Sequence, residues 1–530
     1  MRSEVHLDGR VMRCFAERPR STSALLAEAV ASNPDGEAIV CGTERLSYRA
    51  FDAVVARCAA GLRARGLSRG DRIAMLLGNG SAFPVVLFAA LRLGAIAVPI
   101  SVREQTPGLA YMLEHCCAKV LVHDADLADR LPAPEATPAL AHRIAVAAGA
   151  PCSELALLSE GGGAAEPVAV GEEETAVILY TSGTTGKPKG AMLSHLGICH
   201  SALHYQHCMA LGPGDRSIIA VPMSHVTGLV AQVASMVRAA GTMIVMPAFK
   251  ARDFLILAQR ERMTHTVIVP AMYNLCLMEP GFAAADLSSW RVGAFGGAPM
   301  PPATIERFAE KLPGLSLMNA YGATETTSPA TMMPPAETAR RLDSVGRPVP
   351  CADILVMDDA GFEVAPGEVG EIWIRGPMVV GGYWENPGAT AESFIAGFWR
   401  SGDLGSADAE GYVRVLDRKK DMINRGGYKI YSVEVENALM SHPAVVEAAV
   451  IPRPCPVLGE RAHAFVTVDG AGAGAAPEEL VRHCAGLLAD YKVPDSFIIA
   501  TDPLPRNANG KLLKRELREA LSALDTTRAL

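Results

Sequence analysis

Between Glu37 and Val122 short apolar runs alternate with longer amphipathic stretches, and this alternation narrows the fold more than any other feature of the chain. Ile73-Ala-Met-Leu-Leu77 and Ala95-Ile-Ala-Val98 have the length and continuity of buried strands, whereas Tyr48 to Leu67 repeats its apolar positions at helical spacing. Strands separated by helices run parallel and need cover on both faces, which predicts a doubly wound α/β sheet. A second series of strand-and-helix units follows residue 191 and extends to about Pro334, predicting a second α/β sheet. Around Ser344-Val-Gly-Arg-Pro348 the pattern changes to short alternating runs, Asp353 to Met357 and Glu371 to Ile374, separated by Gly, Pro and Asp. Such runs suit a small antiparallel β unit. From about Lys420 the chain reads as a compact α+β tail, and residues 131–174, rich in Ala, Pro and Gly, read as a loose connection.

The 530 residues exceed one hydrophobic core, and with 49% hydrophobic and 20% charged residues the chain can build several. A formal charge of -8 argues against a nucleic-acid binder, which would present a basic face. None of the twelve cysteines forms a Cys-x-x-Cys pair, and the first twenty residues lack the apolar core of a secretory signal. Reduced thiols in a cytoplasmic protein are the expectation. Phe83 to Ile100 and Ile218 to Met246 are apolar but broken by Arg92, and by Pro222, His225, Gln232 and Arg238. They read as helix-and-strand pairs, with no integral membrane association.

Tyr180-Thr-Ser-Gly-Thr-Thr-Gly-Lys-Pro-Lys-Gly-Ala191, after the apolar run Val177 to Tyr180, has the composition of a phosphate-holding loop. Glycine frees backbone N–H groups to converge on an anion, hydroxyls add donors, and lysine adds charge. Only two residues separate Gly183 from Gly186-Lys187 where the nucleotide P-loop needs four, so this is a different device.

Seven further motifs follow in order: Pro222-Met-Ser-His225, Gly296-Gly-Ala-Pro299, Asn319-Ala-Tyr-Gly-Ala-Thr-Glu325, Ser401-Gly-Asp403, Asp417-Arg-Lys-Lys420, Gly426-Gly427 and Pro505-Arg-Asn-Ala-Asn-Gly-Lys511. Together with the loop they resemble the class I adenylate-forming superfamily, in its acyl-CoA synthetase and fatty-acid–CoA ligase branch, over about Ser23 to Leu517. The resemblance implies an N-terminal domain over 1–419, made of two doubly wound sheets and a small β-barrel-like subdomain. A small mobile α+β C-terminal domain over 420–530 would follow, hinged at Lys420. It also implies a two-step reaction, in which ATP activates a carboxylate as acyl-AMP with loss of pyrophosphate and the thiol of CoA then displaces AMP. Electrostatic positioning does most of such work.

By resemblance, Thr181, Ser182, Gly183, Thr184, Thr185, Gly186 and Lys189 embrace the β- and γ-phosphates. Thr324 contacts the α-phosphate and Glu325 holds Mg²⁺, a hard cation suited to oxygen ligands. Gly296, Gly297, Ala298 and Tyr321 match the adenine slot, with Asn319 reading the exocyclic amine, and Ala320 and Gly322 also belong to the ATP/AMP-binding residues. Asp403 and Arg418 hold the ribose. Lys511 bridges the attacking carboxylate and the α-phosphate. Gly426 and Gly427 leave room for the pantetheine arm of CoA.

His225 matches the residue that closes the acyl pocket, and Val226 stands where amino-acid-activating members carry an aspartate. An apolar residue there would leave a buried ammonium unpaired, which disfavours amino-acid substrates. With small residues at Ala298, Ala320, Gly322 and Ala323, the pocket is expected to take a hydrophobic acid, whether fatty, alicyclic or aromatic. An acyl carrier protein as acceptor and a luciferase-like oxidation are the alternatives, and a homodimer is left open. His200, His204 and His207 fall at i, i+4 and i+7, one face of a helix, where zinc ligation is conceivable.

Overall fold

Continuous runs of buried residues form the strands of the large parallel sheets, as parallel sheets covered on both faces require. A computed structural model describes the chain except residues 7–8, 148, 156, 158–161, 182–186, 299, 336, 469–475, 507–511 and 529–530, and the side chains of 153 and 525–528. It divides into two compact units, one of Met1–Ile354, Trp373–Arg400 and Gly411–Val413, the other of Leu355–Ile372, Ser401–Glu410 and Arg414–Leu530.

The first unit holds two large sheets. A six-stranded sheet has the order Lys189–Ser194, Thr175–Thr181, Ile96–Pro99, Arg72–Leu76, Val120–Asp124, His142–Val146. All its neighbours are parallel except the first pair, which is antiparallel. Helices Tyr48–Ala64 and Ala82–Arg92 pack on each other, the former capped by Ser47, whose hydroxyl accepts from the Ala50 N–H. Ala74, Leu76, Val98, Leu109, Leu121 and Ile178 belong to one buried cluster. The two apolar runs resolve as expected into helix and strand: Ala82–Arg92 with Ile96–Pro99, and helical Thr227–Ala239 between strands Arg216–Ile219 and Thr242–Val245. Among the described residues no helix is long and apolar enough to cross a membrane.

The nine-stranded sheet contains six parallel strands, in the order Ser316–Tyr321, Val292–Phe295, His265–Ile268, Arg216–Ile219, Thr242–Val245, Glu37–Cys41, with short antiparallel strands at its two edges. Two features depart from the sequence reading. Glu37–Ser47 reads as the start of the first sheet, yet Ile39 pairs with Met243 and Val40 with Ile244 of the second. Local periodicity marks a strand but not its partner. The stretch expected to be a loose connection contains strand His142–Val146, in parallel register with Val120–Asp124. As an edge strand it buries only Ile144 and Val146, too weak a pattern to stand out among alanines.

In the second unit, strands Ile423–Arg425, Tyr428–Ile430, Val445–Cys455, Gly459–Val468 and Ser496–Ala500 form a mixed sheet. Alternation divides its faces. Ala448 and Val450 join Val435, Leu439 and Leu480 from helices Ser432–Met440 and Pro477–Ala485, while Ala449 and Ile451 join Leu517 and Leu521 from the C-terminal helix. Lys514 of that helix pairs with Glu436 at 2.6 Å and donates to the Ser432 hydroxyl at 2.7 Å.

Candidate active site

The stem of the phosphate loop is an antiparallel pair in which Thr181 faces Lys189 and Tyr180 faces Gly190. Ser182, Gly183, Thr184, Thr185 and Gly186 lie outside the described residues. Side chains of helix Thr106–His115 fasten the stem: the Tyr180 hydroxyl lies 2.9 Å from His115 Nδ1, and the Tyr111 hydroxyl donates to the Pro188 carbonyl at 3.1 Å. Lys187 Nζ sits 5.4 Å from the Tyr111 ring centre, and Lys189 Nζ 5.1 Å from that of Tyr383. Both lysines therefore rest against aromatic faces.

The residues matched to the adenine slot lie at the carboxyl ends of adjacent parallel strands, where α/β sheets present their ligands. Strand Val292–Phe295 delivers Gly296, Gly297 and Ala298; its neighbour Ser316–Tyr321 delivers Asn319, Ala320 and Tyr321, with Phe295 aligned to Asn319. A Cβ at Gly296 would stand 2.4 Å from the Ala320 carbonyl oxygen, so only glycine permits this approach, and Gly297 has a φ of +78°. Gly322 is crowded by Thr326 Oγ1 and by the backbone of Pro329 and Ala330. Ala323 precedes the single helical turn Thr324–Thr326, in which the Thr326 hydroxyl receives the Ala323 N–H at 2.9 Å.

Glu325 is buried on that turn. Its Oε1 accepts from the Tyr383 hydroxyl at 2.9 Å, and its backbone carbonyl accepts from the Val380 N–H at 2.9 Å. Burial, and then the neighbouring carboxylate, push the Tyr383 phenol far above its usual range, so it stays a donor at neutral pH. One carboxylate with a fixed rotation suits magnesium, which takes one or two protein carboxylates and completes its shell with phosphate oxygens and water. The chemistry of the Glu325 carboxylate is compatible with such an ion.

His225 begins the turn that leads into a wide helical segment, Thr227–Ala234. Its Nδ1 accepts the Thr227 N–H at 3.3 Å, and Val226 beside it is buried. Gly228 is obligatory, because a Cβ there would lie 2.3 Å from the Pro222 carbonyl oxygen. Asn79 fastens the Pro222-to-His225 segment: its Oδ1 receives the Met223 N–H at 2.9 Å, and its Nδ2 donates to Val221 and Met246 carbonyls at 3.0 and 3.1 Å. Sequence reasoning missed both Asn79 and Tyr383. Their only local signals are the turn-rich Gly78-Asn-Gly80 and the Gly381-Gly-Tyr-Trp384 stretch.

In the second unit Arg418 Nε meets Asp403 Oδ1 at 2.6 Å, and the Asp403 N–H donates to the Ser401 hydroxyl at 3.0 Å. Lys420 is exposed in the turn that follows strand Val413–Arg418. Gly426 and Gly427, with φ of +59° and +94°, make the two-residue turn of the hairpin Ile423–Ile430, a conformation that itself calls for glycine. Lys511 lies outside the described residues. The ends flanking 507–511 are drawn together by the Arg506–Leu512 bridge and by the Leu513 N–H donating to the Pro505 carbonyl at 2.8 Å.

The three histidines of helix His195–Met209 surround Phe15, with ring centres 5.8 to 6.1 Å from it. His200 donates from Nδ1 to the Leu196 carbonyl and accepts the Phe15 N–H at Nε2, so both of its own nitrogens are committed. The face packs against the N-terminal hairpin through Phe15.

The pattern of the family described as AMP-binding enzyme matches residues 26–384, more than half the chain, and that of the AMP-binding enzyme C-terminal domain matches residues 434–511. A feruloyl-CoA synthase of an Amycolatopsis species is 36% identical over 492 residues, 92% of this chain and 96% of the relative. A long-chain-fatty-acid–CoA ligase of Mycobacterium tuberculosis is 35% identical over 480 residues, 90% of this chain and 94% of the relative. The solved structure of O-succinylbenzoate coenzyme A synthetase from Bacillus subtilis, in complex with ATP and magnesium ion, superposes with a TM-score of 0.82 at 31% identity, covering 93% of this chain and 99% of that one.

Proposed function

The chain belongs to the AMP-binding enzyme family, and from that premise we propose that it ligates a hydrophobic carboxylic acid to coenzyme A at the expense of ATP. The relatives named for CoA ligation of a long-chain fatty acid and of ferulate support an apolar or aryl acid, as does the buried Val226 beside His225. In the first step a carboxylate oxygen bonds to the α-phosphorus of ATP and the bond to pyrophosphate breaks. In the second, the CoA sulfur bonds to the acyl carbon, its proton passes to solvent, and AMP leaves.

The observation that carries the reading is the meeting of Glu325 and Lys189 at one residue, Tyr383, which sets a carboxylate and an ammonium group together beside the loop stem. Lys189 and Thr181, with Ser182 to Gly186, hold the β- and γ-phosphates. Thr324 contacts the α-phosphate. Magnesium, held by Glu325, would neutralise phosphate charge. Gly296, Gly297 and Ala298 with Asn319 to Gly322 receive adenine, Tyr321 stacking on it. Asp403 accepts the ribose hydroxyls, oriented by Arg418. Lys511 offsets the charge that builds between carboxylate and α-phosphate. His225, Val226, Ala298, Ala320, Gly322 and Ala323 face the acyl group, and Gly426 and Gly427 border the path of the thiol. The domains 1–419 and 420–530 alternate about Lys420 between the steps, a gating motion.

The test incubates the protein with ATP, Mg²⁺, CoA and a panel of carboxylic acids. AMP, pyrophosphate and a thioester are expected with apolar acids. Acyl-AMP accumulating without transfer to CoA, but with transfer to a phosphopantetheinylated carrier protein, overturns the choice of acceptor. No pyrophosphate release from any acid overturns the activity.

A further inference from the structure

The segment Val380–Trp384 is laced to two elements that handle different parts of the nucleotide. On one side Trp384 donates its N–H to the Gly190 carbonyl at 2.7 Å, the Met192 N–H donates to Gly382 at 3.1 Å, and Tyr383 bridges Ala191, all on the strand that leaves the phosphate loop. On the other, the Val380 N–H holds the Glu325 carbonyl at 2.9 Å. Tyr383 repeats this link with its side chain. Its hydroxyl donates to Glu325 Oε1, its ring lies 5.1 Å from Lys189 Nζ, and its far edge packs on Phe394 with ring centres 5.6 Å apart.

We propose that Tyr383 is a positioning residue that sets the Glu325 carboxylate and the Lys189 ammonium in register for a single magnesium–nucleotide complex. The inference rests on the reading of Glu325 as the metal-holding carboxylate. A carboxylate on a short turn can rotate about its last side-chain bond. Committing Oε1 to a buried phenol sets that rotation, and with it the direction of Oε2. Lys189, at the stem, gains a fixed ring face against which its long side chain extends. In this role Tyr383 needs no contact of its own with substrate or metal. It acts through the two residues that do, as hydrogen-bond partners of metal-holding carboxylates do elsewhere.

Tyr383→Phe keeps the ring and its packing and removes only the hydroxyl. Binding of Mn²⁺, as a magnetic probe for Mg²⁺, is measured in the presence of a non-hydrolysable ATP analogue. Affinity is expected to fall about 10- to 100-fold. The Mg²⁺ concentration that half-activates pyrophosphate release should rise by a similar factor, while analogue binding without metal and acyl transfer from supplied acyl-AMP to CoA stay near wild type. A merely structural residue would move the last two as well. Combined with Glu325→Gln, the tyrosine substitution should add no further loss. Wild-type Mn²⁺ affinity in Tyr383→Phe, or losses that multiply in the double variant, overturn the proposal alone. Unchanged Mn²⁺ affinity in Glu325→Gln overturns the metal role of Glu325 together with it.

Discussion

Replacing Gly296 with alanine tests the adenine slot where the backbone leaves least room. The new Cβ would stand 2.4 Å from the Ala320 carbonyl oxygen, against an ordinary contact of 3.4 Å or more, so about 1.0 Å must be found. Both partners are backbone, and the receiving strand is held on its other side: the Met333 N–H donates to Asn319 and the Ala330 N–H to Tyr321, each at 2.8 Å. Relief therefore drags Asn319, Ala320 and Tyr321 together. Overpacking of this kind costs roughly 1–3 kcal/mol of stability, and a displacement near 1 Å in a positioning element costs on the order of 100-fold in rate. Gly297→Ala is the control. Its Cβ meets only Val269 Cγ1, at 4.0 Å, but its φ is +78°, so it pays about 1–2 kcal/mol of backbone strain without moving the strand. Pyrophosphate release with saturating acid, measured against ATP concentration and alongside urea unfolding, separates the two. Gly296→Ala should raise the ATP KM and lower kcat, whereas Gly297→Ala should mainly lower the unfolding midpoint. Wild-type ATP kinetics in Gly296→Ala, or a larger kinetic defect in Gly297→Ala, would show that this strand does not hold the nucleotide.

Lys511→Ala should nearly abolish acyl-adenylate formation and leave transfer from supplied acyl-AMP to CoA largely intact; equal loss of both half-reactions contradicts its role. Burial holds His195, His200 and His265 at about 4 and His204 at about 3, against an ordinary 6.5. Because the unfolded chain binds these protons first, stability is complete above pH 6.5 and is lost as pH falls from 6.5 to about 4, and to about 3 for His204, by roughly 3 kcal/mol for each of the first three histidines and more for His204. Urea midpoints that stay level between pH 7 and pH 4.5 would contradict this. Lys514→Met leaves the half-buried Glu436 without its cation and should cost roughly 1–3 kcal/mol; adding Glu436→Leu should recover much of the loss in thermal unfolding, and an additive double variant would contradict the pairing.

What could be read in advance follows the range over which the signals act. Thr181 to Lys189, Asn319 to Glu325 and Ser401 to Asp403 are contiguous, so each arrives with its own backbone geometry and is visible as a string. The helix from Tyr48 is visible because burial of one face imposes a period on the residues themselves. The histidines at 200, 204 and 207 mark the range of such signals: their spacing places them on one helix face, but it does not show that this face packs around Phe15. Gly426 and Gly427 teach a related lesson, since a tight hairpin turn already accounts for glycine at both positions.

The family, the alternating α/β architecture and the order in which the chemical motifs arrive are written along the chain, because each rests on neighbouring residues. Tertiary structure decided which sheet Glu37–Ser47 joins, how Asn79 fastens the segment leading to His225, and how Tyr383 reaches Glu325 across 58 residues. Those choices are settled by burial and by hydrogen-bond pairing between distant segments, and a buried donor that finds its acceptor only after folding leaves no local trace in the order of amino acids.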